Sequence, residues 1–302
     1  MARTLAPWVW AGVLAAGPAG TAGAQVSPVL EVITEPATLV RGAIATLRAR
    51  STGDSIFSID GTLGGEPLHF DRTPPGDFIS LAGIPIEGAD SVSVELTLHE
   101  AGGSRRIHLA LPVSSGAYGV ERLTVAPKLA EPDSATRVRI AAENARARAV
   151  SRAAHHTARL WSQPFVLPRD TRITSVFGTR REFNGRVTSR HMGTDFAGEV
   201  GAPVRAANDG IVALVADFYL AGTVVYLDHG EGLVTAYFHL SRVEVVKGDT
   251  VHGGQVIGAV GQSGRVTGPH LHWVARYGAI SVDPMSLLAL MPEPEPTGPA
   301  SN

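Results

Sequence analysis

Five residues of this chain have types and spacings suited to metal-assisted chemistry: His191 and Asp195 in SRHMGTDFAG, His239 in LVTAYFHL, and His270 and His272 in GRVTGPHLHW. Two histidines at i and i+2 project from the same face of an extended strand, so the imidazoles of His270 and His272 are able to address one point. Alone the pattern is weak, because 11 histidines in 302 residues supply about 0.4 such pairs by chance. His191 and Asp195 are four apart, which a helix would align, but Gly193, Thr194 and the following GEVGAP argue against a helix. The pair is expected on a loop leading into a strand. One imidazole and one carboxylate suit zinc. A third imidazole, from His272 or His270, would complete the three-ligand set that catalytic zinc uses, leaving a fourth position for water.

The elements that must position these residues read as all-β in two parts. From Ser27 to about Val113, short alternating runs such as VLEVITE, AIATLRAR, SVSVELTL and RRIHLALPV are separated by Gly, Pro and Asp clusters, the pattern of an Ig-like β-sandwich. His69, His99 and His108 lie singly in or beside these runs and read as structural. Between Asp133 and Trp161 the period changes to a helical one, with Val138, Ala142, Ala145, Ala149, Ala153, His156 and Leu160 as a thin apolar stripe and an arginine-rich outer face. Asp133 or Ser134 is a suitable cap, and the charged face reads as the solvated side of a linker helix. His155 and His156 are adjacent and point to different sides. From Leu167 glycine becomes dense and strand-like runs return, among them GTVVYLDHG, LVTAYFHLSRVEV and HLHWVARYG, the pattern of an antiparallel β-sheet domain. The expected organisation is a signal peptide at 1–24, a sandwich at 25–118, a linker with the helix at 119–166, a catalytic domain at 167–290 and a disordered Pro-rich tail at 291–302.

Within that Gly-rich domain HMGTD, AYFHL and GPHLHW, in that order, resemble the lysostaphin/LytM-type zinc peptidase family. The similarity extends through SVFGTRREFNG, GAPVRAANDGIV and VKGDTVHGGQVIGAVGQSG and covers roughly residues 165 to 285. The early strands with FISLAGIPIE and the linker ending in WSQPF are similar to two-domain exported members from Gram-negative bacteria. The resemblance implies that His191, Asp195 and His272 bind one zinc ion. It implies that His270 and His239 are not ligands but flank the reacting water and the scissile carbonyl; His270 is the candidate general base and His239 the candidate donor to the oxyanion or leaving amine, with the exchange of these two roles left open. Loops at 181–190, 218–221 and 265–267 are expected to wall a groove. His229 and His252 read as structural, since no ligand position remains for them. The activity implied is hydrolysis of peptide cross-links or stem peptides of peptidoglycan.

Three rival readings compete with this one. A family-like domain that has lost chemistry would serve as a module activating another wall hydrolase, yet all five residues are present. The spaced glycines of VKGDTVHGGQVIGAVGQ are also similar to biotinyl or lipoyl carrier hairpins, but Lys247 does not stand in a matching motif. A fourth protein ligand would make the zinc site a closed structural one.

Composition narrows the partners. A formal net charge of -2 and a pI near 6.6 provide no global basic field for nucleic acid. The absence of cysteine excludes disulfides, so the core must hold the fold. The opening MARTLAPWVWAGVLAAGPAGTAGAQ has one arginine, a short apolar run and small residues suited to cleavage before Gln25, which predicts export to the periplasm or cell envelope with no membrane span after cleavage. An envelope protein binding through the N-terminal domain is an expected type of partner, together with peptidoglycan itself.

Overall fold

A computed structural model of the chain describes residues 30–51, 56–74, 76–123, 132–183 and 187–290. The expected export segment at 1–24 and the tail at 291–302 lie outside the described residues. The chain divides into two compact units, Met1–Ala117 and Tyr118–Asn302.

The described part of the first unit has nine strands: β1 (Leu30–Glu35), β2 (Leu39–Val40), β3 (Ile44–Ser51), β4 (Ile56–Leu63), β5 (Glu66–Leu68), β6 (Asp71–Thr73), β7 (Asp77–Gly83), β8 (Ser91–Glu100) and β9 (Gly103–Ser114). They form a four-stranded sheet ordered β1-β3-β7-β6 and a five-stranded sheet ordered β2-β9-β8-β4-β5. Alternation explains why the two sheets face each other: in β8, Val92, Val94, Leu96 and Leu98 are buried while Ser91, Ser93 and Glu95 are exposed. These residues share one apolar core with Leu47 of β3 and Phe78 of β7, making a two-sheet sandwich.

The second unit opens with β10 (Val120–Leu123) and a helix, α1 (Ser134–Ala153), which a 3-10 turn at Ala154–His156 continues. Its remaining strands are β11 (Ile173–Ser175), β12 (Arg180–Phe183), β13 (Val187–Arg190), β14 (Thr194–Ala197), β15 (Pro203–Arg205), β16 (Gly210–Phe218), β17 (Gly222–Gly230), β18 (Leu233–Val243), β19 (Thr250–Val251), β20 (Val256–Val260), β21 (His270–Tyr277) and β22 (Ile280–Val282). The main sheet runs β11-β14-β21-β18-β17-β16-β19, with β15, β20 and β22 paired off this path. All its pairings are antiparallel. A separate small sheet joins β10 in parallel to β12, which forms a hairpin with β13. Among the described residues no helix is long and apolar enough to cross a membrane.

Asp133 caps α1, its Oδ1 accepting from the Thr136 backbone N–H at 2.7 Å. The buried face of the helix differs from the expected stripe. Val138 is 71% exposed, and Ala142, Ala145, Ala149, Ala153 and His156 also face outward, whereas Glu143, Ala147, Ser151 and Ala154 are buried. Small side chains let Ala147 and Ala154 approach Leu214, Phe218 and Tyr226 of the sheet. Glu143 is accommodated because Arg139 donates to it at 2.6 Å and the Tyr219 backbone N–H at 2.9 Å. A polar residue with satisfied hydrogen bonds thus occupies the seam, and the exposed alanines favour the helix by propensity alone.

Candidate metal centre

Strand alternation builds the floor of the site. In β21, Leu271 and Trp273 are fully buried on the core face, which turns His270 and His272 to the opposite face. In the neighbouring β14, Asp195 stands opposite His272 in the ladder, and Ala197 opposite His270. Phe238 of β18 flanks His272 from the other side. His191 precedes β14 on a short connection whose backbone is held by hydrogen bonds from the His191 N–H to the Thr179 carbonyl at 2.8 Å and from the Gly178 N–H to the His191 carbonyl at 2.7 Å. Gly193 lies between the two HxxxD residues where there is no room for a side chain: a Cβ there would sit 2.5 Å from the Trp273 carbonyl oxygen and 2.7 Å from the His272 ring.

Three donor atoms converge on that floor. His191 Nε2 lies 3.0 Å from Asp195 Oδ1 and 2.9 Å from His272 Nδ1, and His272 Nδ1 lies 2.7 Å from Asp195 Oδ1. His191 and Asp195 are buried, and the His272 side chain is 12% exposed. The hydrogen-bond inventory fixes what these atoms offer. The Ser175 hydroxyl donates to Glu121 Oε1 at 2.7 Å, so its oxygen is left to accept from His191 Nδ1 at 3.1 Å; the Val176 carbonyl accepts from the same nitrogen at 3.0 Å. With its proton on Nδ1, His191 presents a bare Nε2 lone pair to a carboxylate oxygen. Such a pair of acceptors beside a third ring nitrogen is suited to hold a cation between them. A tetrahedral zinc with bonds of about 2.0–2.1 Å keeps its ligand atoms about 3.3 Å apart, so these residues fit such an ion after spreading by a few tenths of an ångström.

The electrostatics agree with that inventory. Burial alone would raise the Asp195 carboxyl, but the His191 and His272 rings set against it hold it well below the usual carboxylate range. Burial pushes His272 down to about 4 against the opposing pull of Asp195, which leaves the imidazole neutral at neutral pH.

His270 and His239 stand beside this trio, not within it. His270 Nε2 is 3.8 Å from Asp195 Oδ1, and its Nδ1 donates to the Gly268 carbonyl at 2.9 Å. His239 Nδ1 donates to the Ser263 carbonyl at 2.8 Å. The two rings face each other at a centroid separation of 4.9 Å. Each therefore directs an unprotonated Nε2 away from its carbonyl partner. Burial, reinforced by His272 and His270, pushes His239 down to about 3. It also adopts a left-handed backbone, φ 63°, where β18 leaves β21 to pair with β20. His229 lies elsewhere, buried between the Asp209 carbonyl and Thr235 Oγ1 at 2.6 and 2.8 Å. His252 is an exposed side chain 3.5 Å from Asp209.

These residues open into a groove of about 500 Å³. Its walls include Leu220, Ala221 and Arg265 from two of the expected loops, Arg181, which stands in strand β12 and not on a loop, and Arg172 and Thr174 beside and within β11. Glu121 and Ser175, also at the groove, have no counterpart in the sequence reading. Their signal is tertiary: β10 pairs with a strand some sixty residues away, and no local motif marks a serine whose role is to orient an imidazole.

The model for peptidase family M23 matches residues 189–284, roughly a third of the chain. DD-carboxypeptidase/endopeptidase Mpg of Neisseria meningitidis is 42% identical over 123 residues, which are 41% of this chain and 28% of that protein. Peptidoglycan DD-endopeptidase ShyA of Vibrio cholerae is 47% identical over 114 residues, 37% of this chain and 26% of that protein. The matched region thus spans little more than a quarter of the length of these relatives. A crystal structure from Pseudomonas aeruginosa, assigned to peptidase M23, is 27% identical with a TM-score of 0.62, covering 82% of this chain and 94% of that one.

Proposed function

We propose, from the match of residues 189–284 to the model for peptidase family M23, that the protein is a zinc-dependent endopeptidase hydrolysing peptide cross-links or stem peptides of peptidoglycan. The observation that carries the reading is the convergence of His191 Nε2, Asp195 Oδ1 and His272 Nδ1 on one point, with His239 and His270 facing it from the side. Zinc held by those three atoms would supply a Lewis acid that polarises the scissile carbonyl and makes water acidic enough to ionise near neutral pH. The other steps belong to side chains. His270 Nε2, bare because Nδ1 is engaged by Gly268, accepts a proton from the attacking water. His239, its own ring proton held by the Ser263 carbonyl, takes up at Nε2 the proton released from that water and, because burial makes its cation a strong acid, delivers it to the leaving amine as the C–N bond breaks. Phe238 and the residues at 265–267 line the groove beside these groups.

The wall polymer as substrate is supported by relatives named peptidoglycan DD-endopeptidase, and the favoured bond is a D-alanyl to diaminopimelate cross-link. The leader-like opening at 1–24 supports export, to the periplasm or cell envelope, and the sandwich is the surface assigned to an envelope partner. Digestion of purified sacculi with and without a chelator tests the reading, with released muropeptides identified by mass spectrometry. Chelator-sensitive release of cross-link cleavage products is expected. Absence of any such product overturns it in favour of a non-catalytic module that activates another hydrolase.

A further inference from the structure

The ligands His191 and Asp195 are tied to a residue far outside the family-matched segment. Glu121 of β10 accepts the Ser175 hydroxyl on Oε1 at 2.7 Å and Arg181 Nε on Oε2 at 3.1 Å. Arg181 Nη2 donates in turn to Ser175 Oγ at 3.1 Å and to Asp195 Oδ2 at 2.8 Å. The network is closed to solvent on most sides, with side-chain exposures of 30% for Glu121, 20% for Arg181 and 8% for Asp195. We propose that Glu121 and Arg181 are positioning residues of the metal centre, so that the strand opening the second unit is a working part of a site whose ligands lie some seventy residues further on.

The physical case is a proton count. A serine hydroxyl has one proton, and Glu121 takes it, which obliges Ser175 Oγ to accept from His191 Nδ1. That reinforces the tautomer that leaves Nε2 bare, which the Val176 carbonyl also selects at 3.0 Å, and holds the ring in place from a second side. The same carboxylate sets the rotation of the Arg181 guanidinium, whose other end occupies Asp195 Oδ2 and leaves Oδ1 as the free ligand atom. One anion thus prepares both ligands, one through a hydroxyl and one through a guanidinium. Both Glu121 oxygens are engaged in this way, which separates it from the three residues whose ligand atoms converge.

The backbone holds Glu121 there by two means. It stands in register with Arg181 in the parallel β10–β12 pair. Tyr118, just before that strand, packs edge-on against Phe177 with centroids 6.2 Å apart, and it lies over Gly178, where a Cβ would overlap its ring. Arg122, next along β10, pairs with Glu182 at 3.0 Å on an exposed side, so it shares the strand but not the network.

This inference rests on the proposed metal reading, and the test separates the two. Zinc affinity of the full chain is measured by competition with a chromophoric chelator, and the visible spectrum of the cobalt-substituted protein reports the ligand field. Glu121→Gln keeps the shape and removes the charge; Arg181→Lys keeps the charge and removes the fork. Both are expected to weaken zinc binding by about 10–100-fold and to alter the cobalt spectrum, while Arg122→Ala leaves both as in the wild type. Should Glu121→Ala fail to fold, the isosteric Gln variant carries the test. Unchanged affinity and spectrum in Glu121→Gln and Arg181→Lys, with normal metal binding by the wild type, overturn this inference alone. A wild-type chain that binds neither ion overturns the metal reading and this inference with it.

Discussion

Asp195 and His272 stand directly opposite each other across the β14–β21 ladder, with Oδ1 and Nδ1 2.7 Å apart. Their proximity comes from register, since neither belongs to the other's motif. A one-residue slip of β21 would turn His272 into the core and bring Leu271 or Trp273 to the site. The buried Leu271 and Trp273 prevent that slip, so core packing sets where the ligand stands.

Replacement of a ligand and of a flanking histidine should have different consequences. His191→Ala and Asp195→Ala are expected to lose both zinc and hydrolysis. His270→Ala is expected to keep a full zinc content, measured by elemental analysis, and to lose turnover by roughly 10²–10⁴-fold. Near wild-type turnover in His270→Ala would show that the proton is taken elsewhere.

At His239 the backbone and the imidazole can be tested apart. Asn tolerates the left-handed region and a β-branched residue does not. His239→Asn should therefore melt close to the wild type but lose turnover, whereas His239→Val should lose a further 1–2 kcal/mol or so of stability. Equal melting temperatures for the two variants would count against a strained backbone at this position.

The Gly193 position permits a steric prediction. Gly193→Ala places a methyl group against the Trp273 carbonyl and the His272 ring. Zinc affinity and thermal stability should both fall, by contrast with Gly102→Ala, whose added carbon meets nothing within 4 Å. A Gly193→Ala protein with native zinc affinity would mean that β14 and β21 can separate without disturbing the ligands.

Acid should destabilise the fold through His229, away from the metal ligands. Burial pushes this imidazole down to about 4 from its ordinary 6.5. A histidine whose folded value is depressed stabilises the fold fully above the unfolded value, and that stability is lost as pH falls from about 6.5 towards 4, up to about 3 kcal/mol. Chemical denaturation across this range should show a slope that His229→Gln reduces. An unchanged slope would assign the acid sensitivity to other groups.

Much of this architecture can be read from residue patterns because it depends on local alternation. The strands Leu30–Glu35, Ser91–Glu100, Gly222–Gly230 and His270–Tyr277 are legible as strands because each has a simple in-out period or a continuous buried run. The grouping of His191, Asp195 and His272 was legible only through the family resemblance that HMGTD, AYFHL and GPHLHW carry, since spacing alone left His270 and His272 open. The packed face of α1 was not: alanine fits either side of a helix, and a buried Glu143 is acceptable only when Arg139 and the Tyr219 amide are known to reach it. Glu121 and Ser175 escaped for a related reason, since their meaning lies in a parallel pairing and a proton count that no spacing encodes.

The carbonyls of Ser263 and Gly268 belong to one short segment, and each holds a different imidazole by its Nδ1 proton. Because the grip is through main chain, evolution is free to vary the side chains at 265–267 and so retune what the groove admits. Length is another matter: inserting or deleting a residue there would misplace both carbonyls together. This segment should therefore diverge in composition while staying constant in length, an adjustable rim on a fixed clamp.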